Sequence, residues 1–368
     1  MRLFKENVLF RVLNFTFIDL ALASNLSYFW GVGSTIALTM VFQIVTGILL
    51  TSRYVATLDC AFSSVDFIMR ELDKGWLIRY LHSLMATFII LLSYLHISRG
   101  LYYGSFKRPR ELLWISGVVL LVLMMVTAFL GYTLPFGAMS LWAAVVITNL
   151  FSAVPVIGSL LSQWIWGGFS VGGPTISRFF SMHYLLPFSI LGIIVVHLVL
   201  LHDVESSDPT GKLSRLSRVR FHVMFLSKDL VVWCGLVLLG AVFIFEFPDF
   251  FGHPDNFIEA DPLVTPASIV PEVYFLPFYA ILRAIPNKFL GVVVLVWSIL
   301  VLFSLPWISL TGNVRGNRFV VYRVYFWLFV GNFVLLGKFG CSPAVEPYVL
   351  LSRFSTVMYF WLMLFCLS

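Results

Sequence analysis

Eight separate stretches of this chain, at 31–52, 77–103, 112–134, 179–201, 230–247, 288–309, 319–337 and 349–367, are apolar over nearly their whole length. A helix needs about 20 such residues to cross a bilayer, and inside lipid its backbone must satisfy its own hydrogen bonds. The expectation is therefore an all-α, polytopic membrane protein with eight transmembrane helices. Composition agrees: of 368 residues, 60% are hydrophobic and 11% charged, where soluble chains carry about 25% charged residues. Too few polar groups remain to clothe a water-facing surface, and a disordered or fibrous chain is excluded on the same ground.

The connecting segments are of two kinds. Residues 135–178 are apolar but broken by Pro135, Gly137, Pro155, Gly158 and a glycine-rich run at 167–174, a pattern that predicts short interfacial helices. Residues 248–287 carry seven prolines among Asp249, Asp255, Glu259, Asp261 and Glu272, as a loop does. The first thirty residues read as an amphipathic lead-in. Arg11, Asn14 and Asp19 interrupt the apolar run that a cleavable signal would place before Ala21-Leu22-Ala23. The expected organisation is an amphipathic segment over 1–30, four spans with their loops over 31–229, and four more over 230–368.

Charge orients the chain. The N-terminal segment and the loops after the second, fourth and sixth stretches hold 15 Lys/Arg and 7 Asp/Glu, while the other loops hold 9 and 11. Positive charge stays on the cytoplasm-like side of a membrane, so both termini belong there. The basic residues are topology determinants, and no nucleic-acid partner is expected. Four widely spaced cysteines, Cys60, Cys234, Cys341 and Cys366, form no C-x-x-C pair. This argues against a zinc site and against covalent haem attachment, and leaves inert packing as their expected role.

Four of the seven histidines lie inside stretches, His82 and His96 on the second, His183 and His197 on the fourth. Each separation is 14 residues, about four helical turns with a rise of roughly 21 Å. Each helix thus shows two histidines on one face, near opposite membrane surfaces. Both helices run the same way, so His82 comes level with His183 and His96 with His197. Two facing imidazoles in an apolar bundle suit the axial positions of a haem iron. Glycines repeat the period: Gly33 and Gly47 on the first stretch, Gly117 and Gly131 on the third. That places one residue without a side chain beside each expected haem on two further helices, a four-helix bundle enclosing two non-covalent b-type haems. Arg79 and Arg99 stand where a guanidinium meets a propionate from either face. The competing class, a proton-coupled membrane transporter with a histidine relay, accounts for buried ionisable groups but not for the doubled period.

The chain also resembles the cytochrome b family, the haem subunit of respiratory complex III. The resemblance rests on Thr127–Tyr132, Val146–Pro155, Ser181–Phe188, Pro271–Phe275 and Ala280–Lys288. A fused chain with the 14-residue spacing on the fourth stretch is similar to the mitochondrial and proteobacterial form. A di-haem reductase fed by ascorbate would share the haems but lack the Pro271–Phe275 element.

The resemblance implies a subunit of quinol–cytochrome c oxidoreductase that oxidises ubiquinol at the positive side and reduces quinone at the negative side, translocating protons. It implies a low-potential haem on His82 and His183 and a high-potential haem on His96 and His197. The quinol pocket would comprise Phe129, Tyr132, Gly137, Ala143, Ile147, Pro271, Glu272, Tyr274 and Phe275, with Glu272 as proton acceptor. The quinone pocket would comprise Ser34, His202, Lys228 and Asp229. Implied partners are a Rieske iron–sulfur protein, a c-type cytochrome and further complex III subunits, in a dimeric complex. Implied location is the mitochondrial inner membrane with the termini on the matrix side, a bacterial plasma membrane being the alternative. Two positions depart from the usual family pattern: Val273 stands where Trp is common, and Ala143 where many members have Gly.

Overall fold

The computed structural model describes residues 7–210, 217–308 and 316–367. In chain order its helices are α1 (Val8–Phe17), α2 (Val32–Thr51), α3 (Ala61–Arg70), α4 (Gly75–Tyr103), α5 (Glu111–Thr133), α6 (Ala138–Thr148) and α7 (Gly158–Trp166). There follow α8 (Gly173–Val204), α9 (Met224–Glu246), α10 (Leu276–Ala284), α11 (Lys288–Ile308), α12 (Val320–Cys341) and α13 (Tyr348–Trp361). Eight helices are long and apolar enough to cross a membrane: α2 with the turn before it, α4, α5, α8, α9, α11, α12, and α13 with its C-terminal extension. They match the eight apolar stretches of the sequence. Residue 309, and Arg2, Lys5, Glu6, Lys212, Arg215 and Arg315 from the charge count, lie outside the described residues.

Two spans begin six residues earlier than their apolar runs. Helix α8 starts at Gly173, inside the segment expected to hold only interfacial helices. Pro174 occupies its first turn, where a missing N–H costs nothing and the fixed φ favours the helix. The Thr175 hydroxyl accepts from the Gly172 N–H at 3.1 Å and donates to the Trp166 carbonyl at 2.7 Å. The Gly-Gly-Pro run is thus a helix start rather than an interruption. Helix α9 likewise starts at Met224, so Lys228 and Asp229 are helical and the expected division at 229–230 falls within a continuous helix.

The all-α expectation needs one amendment. Ala21–Ala23 (β1) pairs antiparallel with Arg218–Arg220 (β2), Ala21 opposite Arg220, tying the N-terminal segment to the loop between α8 and α9. All four cysteines are free; Cys366 packs against the core as expected, whereas Cys60, Cys234 and Cys341 are exposed and do not.

In the N-terminal half, α2 packs closely on α4, and α5 on α8, with looser seams from α2 to α8 and from α4 to α5. Those seams leave room along the bundle axis. The C-terminal half is built on α10 to α13 around Phe278, Ile281, Leu305, Leu336 and Tyr359. A Cβ on Gly340 would lie 2.1 Å from the Leu276 carbonyl, so only glycine lets α12 approach the backbone at the start of α10. The Trp114 indole donates to the Leu302 carbonyl at 2.7 Å and joins the two halves.

Candidate functional site

The 14-residue period brings the four histidines into two pairs between α4 and α8. The rings of His82 and His183 lie 6.2 Å apart between centroids, at 84° to each other. A metal–imidazole bond is about 2 Å and the ring nitrogen lies about 1 Å from the ring centre, so two imidazoles trans on one metal have centroids about 6 Å apart. His96 and His197 stand one level away, seated on Gly33 of α2 and Gly117 of α5. Between the two levels lies an apolar layer of Met40, Ile89, Ile90, Leu120, Met124, Ile190 and Tyr274.

Each glycine seats one histidine. Ideal Cβ atoms would stand 3.1 Å from His82 Cε1 at Gly47, 3.0 Å from His96 Cε1 at Gly33, 2.5 Å from His183 Cε1 at Gly131 and 3.3 Å from His197 Cε1 at Gly117. The sequence places these glycines beside the cofactor faces; the structure places them against the imidazole edges, and the shared period follows from that contact. Second partners fix three of the rings. The Thr46 hydroxyl lies 2.9 Å from His82 Nδ1, the Ser116 hydroxyl 2.8 Å from His197 Nδ1, and the Thr127 carbonyl 2.8 Å from His183 Nδ1. Because these oxygens already give their own protons away or have none, each Nδ1 donates and Nε2 is left as the free ligand atom. His96 Nδ1 is buried without a partner among the described residues. Thr46 and Ser116 went unread in the sequence, although they directly precede the glycines that were read, and Thr127 stood there only as part of a family stretch.

A cavity of about 360 Å³ opens beside the His82–His183 pair, within the range of cofactor sites, about 300–1,000 Å³. It is lined by both histidines, Gly47, Gly131, Arg79, Tyr132, Glu272 and Tyr274, and reaches Asp249, His253 and Asn256 in the loop after α9. Of the expected quinol-pocket residues it gathers Tyr132, Glu272 and Tyr274, whereas Phe129, Gly137, Ala143, Ile147, Pro271 and Phe275 lie outside its lining. Ala143 is buried in α6, and Phe129 packs on Phe179. A Cβ at Gly137 would strike the Asn256 backbone at 2.3 Å, so that glycine admits the loop against the start of α6. There the Asn256 side-chain oxygen accepts from Ser140 N and from the Ser140 hydroxyl, both at 2.9 Å.

Burial pushes the Glu272 carboxyl up to about 7, with Arg79 opposing the shift. Its charged or titratable neighbours are Arg79 from α4, Tyr132 from α5 and Tyr274 from its own segment. The segment itself is anchored by the Tyr94 hydroxyl, which donates to the Tyr274 carbonyl at 2.8 Å from the middle of α4. At the opposite membrane face the Ser34 hydroxyl donates to the Gly31 carbonyl at 2.8 Å, Asp229 lies against Gly31, and Lys228 donates to the Leu26 carbonyl at 3.0 Å. His202 ends α8 at this face, with no hydrogen bond to Asp229 among the described residues. Arg99 lies 5.3 Å over the Trp30 ring, its buried Nε without a partner among the described residues.

Facing intramembrane imidazoles at metal-ligand separation, glycine seats and a cofactor-sized cavity define a transmembrane haem protein. A family model described as cytochrome b/b6/petB matches residues 17–205, and one described as cytochrome b(C-terminal)/b6/petD matches residues 259–360. Cytochrome b of Rickettsia bellii is 51% identical over 340 residues, 92% of this chain and 85% of that protein. Cytochrome b of Spizellomyces punctatus is 50% identical over 361 residues, 98% of this chain and 91% of that one. A chain of a hyperthermophilic respiratory complex III superposes with a TM-score of 0.92 at 29% identity, covering 99% of this chain and 97% of that chain. The chain belongs to the cytochrome b family and binds b-type haem.

Proposed function

We propose that this chain is the haem-bearing subunit of a quinol–cytochrome c oxidoreductase of the complex III type, and that it holds two b haems. The carrying observation is the pair of histidine levels, each ring seated on its own glycine. His82 and His183 would hold one haem and His96 and His197 the other, with Arg79 and Arg99 as cationic partners for propionates. When bound, each haem supplies a one-electron carrier, the first low in potential and the second high.

The residues of the cavity organise quinol oxidation at the positive side. Glu272 accepts a quinol proton: a buried carboxyl near neutrality is a competent base at physiological pH. Tyr132 and Tyr274 wall the same opening, and Arg79 steadies the carboxylate once it forms. Asp249 and His253 at the cavity mouth give the proton a way to water. At the negative side Asp229 and His202 hydrogen-bond a quinone and return protons to it, with Lys228 and Ser34 beside them.

The complex III resemblance supports a Rieske protein and a c-type cytochrome subunit as partners in a dimer. Ubiquinone as substrate and the mitochondrial inner membrane fit the fungal relatives; the Rickettsia relatives fit a bacterial membrane equally. Reduced-minus-oxidised spectra of the purified complex test the reading. His82→Ala is expected to remove the low-potential signal and His197→Ala the high-potential one. Either variant retaining both signals at full intensity would refute the assignment, and a transporter would show neither signal in the parent protein.

A further inference from the structure

Each histidine seat is a dipeptide: Thr46-Gly47 for His82, Ser116-Gly117 for His197, Leu130-Gly131 for His183 and Val32-Gly33 for His96. The glycine makes room for the ring. The residue before it stands one position from the ring's edge. Where that residue is Thr or Ser, its hydroxyl lies 2.9 or 2.8 Å from Nδ1. Where it is Leu130, Nδ1 turns instead to the Thr127 carbonyl. Where it is Val32, Nδ1 has no partner among the described residues.

The comparison between Thr46 and Val32 is close. The two are 14 residues apart on α2, and their glycines hold the rings alike: the ideal Cβ is 3.8 Å from His82 Nδ1 at Gly47 and 3.5 Å from His96 Nδ1 at Gly33. Val32 therefore occupies, at its own level, the position from which Thr46 reaches His82. Val32 is buried, and His96 Nδ1 itself is closed off from the surface.

A partner on the far nitrogen makes a ligating imidazole the stronger electron donor, which favours the higher charge on the metal. We propose that the residue before each seat glycine tunes the haem potential, and that Val32, by leaving His96 without a second partner, raises the potential at the His96–His197 level relative to the His82–His183 level. This rests on the haem ligation proposed above.

The test uses the intact complex with V32T and, as its reciprocal, T46V. Haem content, low-spin electron paramagnetic resonance signals and redox titration of the two b bands are read in each. V32T is expected to lower the potential of the His96–His197 haem and leave the other unmoved. A tenfold gain in preference for the ferric state is a shift of about 59 mV for one electron. T46V is expected to raise the potential of the His82–His183 haem alone. An unmoved or raised potential in V32T with both haems retained overturns the proposal, as does loss of haem, which would mean that the new hydroxyl finds no partner. Absence of two bis-imidazole signals in the parent complex would instead overturn the ligation itself.

Discussion

At the scale of single residues, the glycine seats are the sharpest constraint, because their clearances differ. A methyl at Gly131 would stand 2.5 Å from the His183 ring, whose Nδ1 is held by Thr127, whereas one at Gly117 would stand 3.3 Å from His197. Overpacking of a close contact costs about 1–3 kcal/mol. Gly131→Ala is therefore expected to lose the His82–His183 haem, and Gly117→Ala to keep the other with a perturbed spectrum; equal haem retention in both variants would contradict the seating. Glu272 sets the pH response. Its carboxyl is neutral below about 7 and charged above, and only the charged form accepts a proton, so quinol oxidation should accelerate as pH rises through that value. In Glu272→Gln the inflection should vanish and the rate fall while haem content stays; an unchanged pH profile would assign the step to another base. The family resemblance implies a glycine, against which strobilurin-type inhibitors lie in the quinol pocket, where this chain carries Ala143, buried in α6. Strobilurin-type inhibitors should bind about five- to 150-fold more weakly than to Ala143→Gly, the equivalent of about 1–3 kcal/mol. Superimposable inhibition curves would show that this methyl does not meet the inhibitor.

At the scale of elements, the loop after α9 and the helix bearing His82 and His96 act on one pocket. Tyr94 is the tie: its hydroxyl holds the Tyr274 carbonyl while its ring packs on Phe333 at 5.5 Å and Phe278 at 6.3 Å. Removal of such a bond costs about 1 kcal/mol, and more where the carbonyl stays buried and unpaired. Tyr94→Phe should raise the quinol KM several-fold and leave the haem spectra intact; an unaltered KM would mean that Glu272 is placed by other contacts. The spans and the histidine pairing were legible in the sequence because both are periodic along single helices. What was not legible comes from packing between distant segments. Nothing local distinguishes Asn256 as the side chain that meets Ser140, or Tyr94 from any other buried tyrosine. The start of α8 was misread because Gly172-Gly173-Pro174 favours both a break and a helix beginning, and only the Thr175–Trp166 contact decides between them. The cavity gathers three of nine expected pocket residues because family motifs mark a region, whereas lining depends on which side chains turn inward.

At the scale of the whole molecule, both histidine levels join helices far apart in the sequence, and the strand pair joins segments farther apart still. Residue 21 finds its partner at 220. A ribosome adds about 5–20 residues per second, so the N-terminal strand waits about 10–40 s for the other half of its ladder. During the same interval α2, α4 and α5 are present without α8, and each cofactor level has a ligand on one side only. Biosynthesis thus imposes an order: a nascent chain released before residue 183 carries two glycine seats with no ring to fill them and has no means of clasping either iron from both sides. Ribosome-bound chains stalled before α8 should accordingly lack the bis-imidazole absorption, and chains stalled well beyond residue 220 should acquire it when haem is supplied. The β1–β2 closure, at the rim on the side that retains both termini, would then mark a bundle whose four helices have all arrived.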